Sequence, residues 1–511
     1  MLRTKYILAI FAIASAFFGF LRFNSLQLGT SYDDAHYIIL AESLSSGQGY
    51  QLINFPRPQI ERAFPPGWPI LLTPLTFLFP GNYTVLQIFS LVLWLASILL
   101  IYKLFSKRIQ SPQLEIVTGL TALNPLLVGT SVTVMAESAY LFFSLLALHV
   151  FDIWKDKAED KKDWILVLAA VLVFYTQLIR TIGIALIIAL VAYLLFTRRW
   201  REAGIAAGVF VAGSLLQVWL NLRNGGSVVS AGYESQVFGG SIVEKLGQMG
   251  SNMLGYFNQT VAGSLIPIFS SKVAAFLGNF GLEVLPALVN IIILLLIAFG
   301  VFAATKNFQM MYIYFVIYVL GILAFWNPNV GSVKARFLIP ILPFLYLYFV
   351  QGMAWVVEKV IRSRINYGRR VEAGLIGLIA LVLLVRNVQD WRNPVMNQMT
   401  DLSIGTSWVA ENAPPDSIVM VNEPVPAYVH VQRKTIGYPT NGQELERYLD
   451  NQGIDYIVVS PKLQSPRSME LDDFTITQVL PILNSQPEKF KKVFLSTEYN
   501  VTVYEYLAGD Q

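Results

Sequence analysis

Two adjacent carboxylates near the N-terminus are the first residues in this sequence that could do chemistry. Asp33 and Asp34 stand between Ser31 and the aromatic pair His36 and Tyr37. Neighbouring side chains on an element point in different directions, so the two carboxylates need not share one role. One of them could act as a general base that takes a proton from a reacting hydroxyl or amine. In the alternative interpretation, both only cap and solvate the start of a helix near Asp34, with Ser31 as the capping residue.

Four more charged residues stand at the edges of apolar stretches. Glu137 enters an apolar run, where a carboxylate is costly and is therefore a candidate functional residue. Arg180 separates two apolar halves, and Lys334 and Arg336 come just before another apolar stretch. Each also has a simpler interpretation. Glu137 could reach water at the interface, Arg180 could snorkel from a loop, and the other two could be ordinary flanking charges.

A fourth basic residue, Arg62, precedes the rigid segment Pro65-Pro66-Gly67-Trp68-Pro69. The apolar residues 70–79 that follow are too few to cross a bilayer. They are typical of a helix that lies in the membrane interface, where Trp68 would sit at the depth of the headgroups.

The elements that must position these residues are membrane helices. Of the 511 residues, 55% are hydrophobic and 14% charged, against about 25% charged in an ordinary soluble domain. The mean hydropathy is +0.53. These values exclude a disordered chain, and the apolar runs are long enough to cross a hydrocarbon core of about 30 Å. We predict eleven transmembrane helices: residues 6–23, 84–105, 112–128, 133–154, 164–179, 181–197, 203–221, 284–304, 308–326, 337–357 and 371–388.

The basic residues predict the orientation of these helices. With the N-terminus in the cytoplasm, the inner loops and the span ends next to them carry 18 Lys and Arg, and the outer loops and their span ends through residue 388 carry 10. Cytoplasmic loops are the more basic ones. Eleven spans then place the outer loops 24–83 and 222–283 and the tail 389–511 outside the cytoplasm. Because the basic residues flank apolar runs, they do not indicate nucleic-acid binding. The chain has no cysteine, which excludes disulfides, thiol nucleophiles and thiolate metal sites.

The tail alternates β-type apolar runs with two helix-like segments, Gln443–Asn451 and Phe474–Leu483. This pattern predicts a small α/β domain. It has neither a Gly-rich phosphate loop nor a nucleophile elbow, which favours a scaffold or acceptor-docking role. The predicted fold is therefore an all-α polytopic membrane domain, residues 1–388, followed by a small extracytoplasmic α/β domain, residues 389–511.

Under this topology, all of the candidate charges map to the outer face of the membrane. The carboxylates could supply a general base and an electrostatic partner. Arginine and lysine at headgroup depth suit a lipid phosphate. The pattern therefore indicates a substrate with a lipid tail and a phosphate, and a transfer reaction on the extracytoplasmic side.

Five motifs, in order, resemble those of the GT-C glycosyltransferases, in particular the protein O-mannosyltransferase and lipid A aminoarabinose transferase group. They are Tyr32-Asp33-Asp34-Ala35-His36-Tyr37, Pro65-Pro66-Gly67-Trp68-Pro69, Met135-Ala136-Glu137-Ser138, Thr176–Gly183 and Ala335-Arg336-Phe337-Leu338-Ile339-Pro340. The order and the predicted topology agree over residues 1–350. Two positions depart from the common pattern, since Asp34 stands where Glu is usual and Phe337 where Tyr is usual.

The resemblance implies a polyprenyl-phosphate sugar as donor and an inverting transfer to a glycan, lipid or protein acceptor. Asp33 would be the general base, and Glu137 a second acid near the acceptor or an ion. Arg180 and Arg336 would contact the donor phosphate.

Further candidates complete this site. Arg62 and Lys334 join the phosphate-binding group, and His36 and Tyr37 would line the acceptor or the sugar. No cofactor is required, although Asp34, His36 and Glu137 could hold a divalent cation, because hard cations prefer carboxylates.

Two other functions compete with a transferase. A lipid-linked sugar transporter or flippase would carry ionisable residues near the middle of the membrane and paired repeats, whereas the charges here map to one face. A membrane-anchored assembly scaffold would need only the tail to be functional.

Overall fold

In a computed structural model of the protein, the described residues are 2–23, 28–29, 31–156, 163–223, 241–267, 279–280, 284–304, 309–325, 333–360, 365–393, 400–461 and 470–507. They form two compact units that do not follow the order of the chain. The first comprises Met1–Arg22, Ser90–Val132 and Ala136–Arg392, and the second comprises Phe23–Phe89, Thr133–Met135 and Asn393–Gln511. The division into residues 1–388 and 389–511 stays a sequence-based prediction.

Helices account for most of the described chain. In order they are α1 (Leu2–Leu21), α2 (Asp33–Ser45), α3 (Gly67–Leu78), α4 (Tyr83–Phe105), α5 (Gln113–Ala122), α6 (Pro125–Ser131), α7 (Ala136–Asp156), α8 (Asp163–Ile179), α9 (Ile184–Phe196), α10 (Trp200–Arg223), α11 (Ile242–Gly255), α12 (Val261–Leu265), α13 (Leu285–Ala304), α14 (Met310–Ala324), α15 (Leu342–Val360), α16 (Ile365–Arg392), α17 (Thr400–Asn412), α18 (Pro424–Val431), α19 (Leu445–Gln452) and α20 (Leu480–Ser485). Short 3₁₀ or π turns join several of them, including Thr181–Gly183 and Ala335–Ile341.

The predicted spans correspond to helices, with one change. Residues 112–128 are not one helix, because α5 ends at Ala122 and α6 begins at Pro125. Asn124 separates them, and its side chain accepts hydrogen bonds from the backbone amides of Leu126 and Leu127. An asparagine cap followed by proline favours a new helix start at this point.

Six helical segments in the described part of the chain are long and apolar enough to cross a membrane. They are Tyr83–Phe105, Ala136–Asp156, Trp200–Leu220, Leu285–Ala304, Ala335–Lys359 and Arg370–Arg392. Shorter apolar helices cover Tyr6–Leu21, Gly67–Leu78, Asp163–Ile179, Thr181–Phe196 and Met310–Ala324. The protein is therefore a helical multi-pass membrane protein with a small C-terminal α/β domain.

In the first unit, two glycines allow the helices α13 and α15 to pack closely. A Cβ on Gly300 in α13 would overlap the carbonyl of Tyr348, and a Cβ on Gly352 in α15 would overlap the carbonyl of Leu296. Small residues allow the backbones of two membrane helices to approach closely.

Gly300→Ala is expected to lower the free energy of unfolding by about 1–3 kcal/mol, because the added methyl group must push two backbones apart. The matched control is Gly208→Ala in α10, where a Cβ would meet nothing within 4 Å. Unfolding in mixed detergent measures both variants. Equal stability of Gly300→Ala and the control would contradict the close contact.

In the second unit, the C-terminal residues form a five-stranded mixed sheet. Its strands are β3 (Ile418–Val421), β4 (Lys434–Ile436), β5 (Tyr456–Val459), β6 (Phe490–Ser496) and β7 (Val501–Tyr506), after a short first-loop hairpin of β1 (Gln51–Leu52) and β2 (Gln59–Ile60). The order across the sheet is β4-β3-β5-β7-β6; β3 is parallel to β4 and β5, and β7 is antiparallel to β5 and β6.

Both faces of this sheet are buried. Val458 belongs to a core cluster with Leu402 and Val409 of α17, whereas its neighbours Ile457 and Val459 belong to a second cluster on the other face. The alternation follows the two-residue period of a strand. The predicted α/β domain is confirmed; α17, α18 and β4 are elements that the sequence pattern did not indicate.

The first loop also belongs to the second unit. Its helix α2 begins at Asp33, and the N-cap is Tyr32, which makes no side-chain capping hydrogen bond. The expected capping by Ser31 is therefore wrong. Helix α3 occupies the apolar stretch after the Pro-rich segment, with Ile70, Phe77 and Leu78 exposed, and its position in a membrane interface stays a prediction.

Candidate functional site

The second unit holds the carboxylate pair at the first turn of α2. Asp34 is completely buried. Its Oδ2 accepts a hydrogen bond from the Gly29 amide at 2.8 Å, and its Oδ1 accepts one from the Ala35 amide at 3.0 Å. Burial raises the pKa of the Asp34 carboxyl to about 7, against the lowering effect of these amide donors. Both oxygens of Asp34 are thus already bound to the backbone.

Asp33 differs from its neighbour because its side chain is half-buried rather than enclosed. Its backbone amide donates to the carbonyl of Ser31 at 2.7 Å. The preceding residue, Tyr32, has φ of 63°, a left-handed conformation that is costly for a residue with a side chain. The conformation of Tyr32 therefore sets the path by which the chain enters α2 at Asp33.

The other first-loop candidates surround this helix start. The His36 ring stacks on Phe64 at 4.4 Å between centroids, and its Nδ1 lies 3.1 Å from the carbonyl of Tyr32. Tyr37 meets the edge of the same Phe64 ring at 5.4 Å. Arg62, two residues before Phe64, is exposed.

The raised pKa of Asp34 predicts a pH dependence of stability. Because the folded state holds this proton more tightly, the free energy of unfolding should fall as the pH rises from about 4 to about 7, by up to roughly 4 kcal/mol. Asp34→Asn should remove this part of the slope. Unfolding midpoints of both proteins between pH 4 and 8 measure it, and parallel curves would contradict the assignment.

The first unit holds a second group of charges, around the buried end of α7. The Glu137 side chain is 1% exposed, and its Oε1 forms an ion pair with Nη1 of Arg180, which is 20% exposed. Arg180 follows the last residue of α8, and the chain turns back through Thr181–Gly183. A Cβ on Gly183 would overlap the backbone of Gln177, so glycine is required for the turn that places Arg180.

Phe337 brings the two predicted phosphate-binding arginines together. The guanidinium carbon of Arg180 lies 5.9 Å from the centroid of the Phe337 ring, and that of Arg336 lies 5.4 Å from it. The backbone carbonyl of Phe337 accepts a hydrogen bond from the hydroxyl of Tyr318 at 2.9 Å. A ring that contacts two cations was not indicated by the sequence, where Phe337 was noted only as a departure from tyrosine. Lys334 is exposed.

Glu137 retains one acceptor for another group. Its Oε2 is buried and has no hydrogen-bond partner among the described residues. A buried carboxylate oxygen without a donor is costly, so this atom is suited to a substrate hydroxyl, an amine or a cation.

The predicted metal ligands belong to different units: Asp34 and His36 lie in the second unit, and Glu137 lies in the first. Across the residues that the structure describes, no group of three or more His, Asp or Glu side chains is arranged to hold a metal ion. Asp34 already accepts two backbone hydrogen bonds, and the divalent cation stays a prediction.

Sequence reasoning missed Glu42. This carboxylate is largely buried in α2 and accepts hydrogen bonds from the hydroxyls of Tyr83, at 2.9 Å, and Tyr428, at 3.0 Å. Nothing in the local sequence marks Glu42, because one of its partners lies in the C-terminal domain.

Solved structures with the same architecture identify the fold. ArnT from Cupriavidus metallidurans in the apo state, a lipid A aminoarabinose transferase, matches with a TM-score of 0.59 at 13% identity, over 100% of both chains. The chain has the GT-C glycosyltransferase fold. ArnT bound to undecaprenyl phosphate matches this chain with a TM-score of 0.57 at 12% identity, over 98% of both chains. The Archaeoglobus fulgidus oligosaccharyltransferase in complex with Zn and sulfate matches with 0.56 at 15% identity, over 89% of this chain and 68% of its own.

No protein-family model and no curated protein sequence matches this chain. At 12–15% identity to the solved structures, the similarity concerns the fold. The roles of the charged residues therefore rest on their own geometry.

Proposed function

We propose that the protein is a glycosyltransferase that moves a sugar from a polyprenyl-phosphate donor to an acceptor on the extracytoplasmic side of the membrane. The observation that carries this proposal is the cluster of Arg180, Arg336 and Phe337 beside the buried carboxylate of Glu137. Two guanidiniums at one ring suit a phosphate, which they can bind through charge-assisted hydrogen bonds. A solved structure with the same fold, ArnT, holds undecaprenyl phosphate.

The chemistry needs few groups, because a sugar on a lipid phosphate already carries its leaving group. The acceptor gives its proton to Asp33, and its oxygen or nitrogen attacks the anomeric carbon opposite the phosphate. The bond from that carbon to the phosphate oxygen breaks, so the configuration inverts and polyprenyl phosphate leaves. Arg180 and Arg336 stabilise the charge that develops on the departing phosphate.

The contrast between the two adjacent carboxylates supports Asp33 as the base. Asp34 is enclosed, and both of its oxygens accept backbone hydrogen bonds. Asp33 keeps a partly exposed side chain, and a general base must come within hydrogen-bond reach of the proton it takes. Glu137 then serves as a second acid through its Oε2, toward the acceptor or an ion.

Purified protein in proteoliposomes tests the function. With a polyprenyl-phosphate sugar and candidate acceptors, we expect release of polyprenyl phosphate together with a product of inverted anomeric configuration, detected by mass spectrometry and NMR. A deletion strain should accumulate the lipid-linked sugar, and its mass would identify the donor. Movement of labelled lipid-linked sugar across the bilayer without product would replace the transferase with a flippase.

The sidedness of the reaction predicts the location of two reporters. A reporter fused after Asn451 should be extracytoplasmic and one fused after Arg201 cytoplasmic, because the basic residues concentrate in the predicted inner loops. Paired alkaline phosphatase and fluorescent-protein fusions measure both positions. Two reporters on the same side would contradict the eleven-span topology and, with it, the extracytoplasmic site.

A further inference from the structure

Helix α18 of the C-terminal domain is connected to Asp34 through a single peptide unit. Nε2 of His430 donates a hydrogen bond to the carbonyl of Leu28, with 3.1 Å between the atoms. The amide of Gly29, which belongs to the same peptide group, donates to Oδ2 of Asp34 at 2.8 Å. The two hydrogen bonds therefore act on opposite ends of one peptide plane.

The histidine has the protonation state that this connection needs. Burial lowers the pKa of His430, so its ring is neutral near pH 7 and carries a single N–H. The carbonyl of Leu28 accepts only, and this selects the tautomer with the proton on Nε2. Hydrogen bonds in series polarise one another, so the bond from His430 strengthens the Gly29 amide as a donor to Asp34.

The same helix holds α2 at a second point. The hydroxyl of Tyr428 donates to Oε2 of Glu42 at 3.0 Å, and that of Tyr83 donates to Oε1 at 2.9 Å. Glu42 lies about two helical turns, or roughly 12 Å, beyond Asp34 on α2. Two anchors at that separation fix both the position and the direction of the helix.

Strand β4, which follows α18, extends this attachment along the first loop. The amide of Thr435 donates to the carbonyl of Asn54 at 2.7 Å, and Nζ of Lys434 donates to the carbonyl of Ile53 at 2.5 Å. The hydrogen bonds of α18 and β4 thus reach both α2 and the β1–β2 hairpin that follows α2 in the chain.

We propose that α18 positions the adjacent carboxylates of the first loop, with His430 as the positioning residue that acts through the Leu28–Gly29 peptide unit on Asp34 and thereby on Asp33. This inference rests on the proposed function, in which Asp33 is the base. It gives the C-terminal domain a part in the reaction rather than a role as a separate docking module.

His430→Ala and His430→Gln distinguish positioning from simple packing. Alanine removes the donor to Leu28, whereas the glutamine amide can restore it. We expect His430→Ala to lower kcat by about three- to tenfold, the factor that one hydrogen bond contributes, with the donor KM unchanged. His430→Gln should recover most of the loss. His149→Ala, a histidine in α7 of the other unit, is the matched control.

A second measurement does not depend on turnover. Hydrogen–deuterium exchange of the full-length protein should be faster in His430→Ala over peptides that cover residues 28–45, and should return to the wild-type rate in His430→Gln. Peptides of α19 serve as the internal reference. Tyr428→Phe, which leaves Glu42 with one of its two donors, should speed exchange toward the C-terminal end of α2.

The outcomes separate the inference from the function. Slower turnover and faster exchange together in His430→Ala, both reversed by glutamine, would support it. Wild-type exchange over residues 28–45 would overturn it, and so would faster exchange with full kcat while Asp33→Asn is inactive. A protein that shows the expected exchange pattern but transfers no lipid-linked sugar would refute the proposed function and support the connection from α18 to α2.

Discussion

Asp33→Asn is expected to lower turnover by at least about 100-fold, because general-base assistance is typically worth about 10²–10⁴-fold. Asparagine keeps the shape and hydrogen-bonding capacity of the side chain but cannot accept the acceptor's proton. The half-buried side chain of Asp33 contributes little to the core, so expression and donor affinity should be nearly unchanged. The assay uses reconstituted membranes with saturating lipid-linked sugar.

Two control variants make this result specific. Asp473→Asn changes an exposed carboxylate close to the start of the turn Thr475–Val479 in the C-terminal domain and should have no effect. Asp34→Asn should reduce turnover less, because both oxygens of Asp34 already accept hydrogen bonds from the backbone at the start of α2. An active Asp33→Asn enzyme beside an inactive Asp34→Asn enzyme would exchange the two roles. Full activity in both would end the proposed mechanism.

Arg180→Ala is expected to have the second largest effect, because it leaves Glu137 charged and buried without its partner. Removing one member of a buried ion pair typically costs about 3–5 kcal/mol. The guanidinium of Arg180 is partly exposed, so we expect a loss of roughly 2–4 kcal/mol in the free energy of unfolding. Binding of the donor phosphate should be lost as well.

A double variant separates these two consequences. Glu137→Gln combined with Arg180→Ala removes the buried charge and should recover most of the stability, but not donor binding. Arg180→Lys keeps the charge and loses the planar fork, so the donor KM should rise by about tenfold with little change in the acceptor KM. The matched control is Arg201→Lys, at an exposed pair with Asp163. If Arg180→Ala binds and turns over donor as the wild type does, Arg180 is only a snorkelling residue.

The membrane helices could be predicted from the sequence because their signal is local. The bilayer core holds no water that could bond to the backbone N–H and C=O groups of an apolar segment. These groups must therefore bond to each other within the segment, which makes it helical. The predicted span 112–128 is the exception, because the Asn124-Pro125 pair starts a new helix and two short helices replace one.

The charged candidate residues could be found for a related reason. An ionisable group in an apolar run is energetically costly, so it marks a candidate functional residue. This argument selected Glu137 and Arg180, and the structure shows them as an ion pair. It could not find Phe337, because an aromatic residue in an apolar run has no cost that would mark it. The arrangement of Arg180 and Arg336 at one ring is a tertiary property.

The attachment of α18 to the first loop lay beyond sequence reasoning for a different reason. Neither His430 nor Glu42 was among the candidate residues of the sequence. Their partners are far away in the chain, and no local periodicity or capping pattern encodes such a pairing. The same distance explains why the tail was expected to be a separate module.

The hydrogen bond between Glu42 and Tyr428 also has a consequence for biosynthesis. The two residues are 386 positions apart, and translation proceeds at about 5–20 residues per second. Roughly 20–80 s therefore pass between the synthesis of Glu42 and that of its partner. During that time the nascent chain carries Asp33 and Asp34 but lacks the helix that holds them. A chain that stops before α18 therefore has both carboxylates but lacks the hydrogen bonds that α18 makes to Leu28 and Glu42.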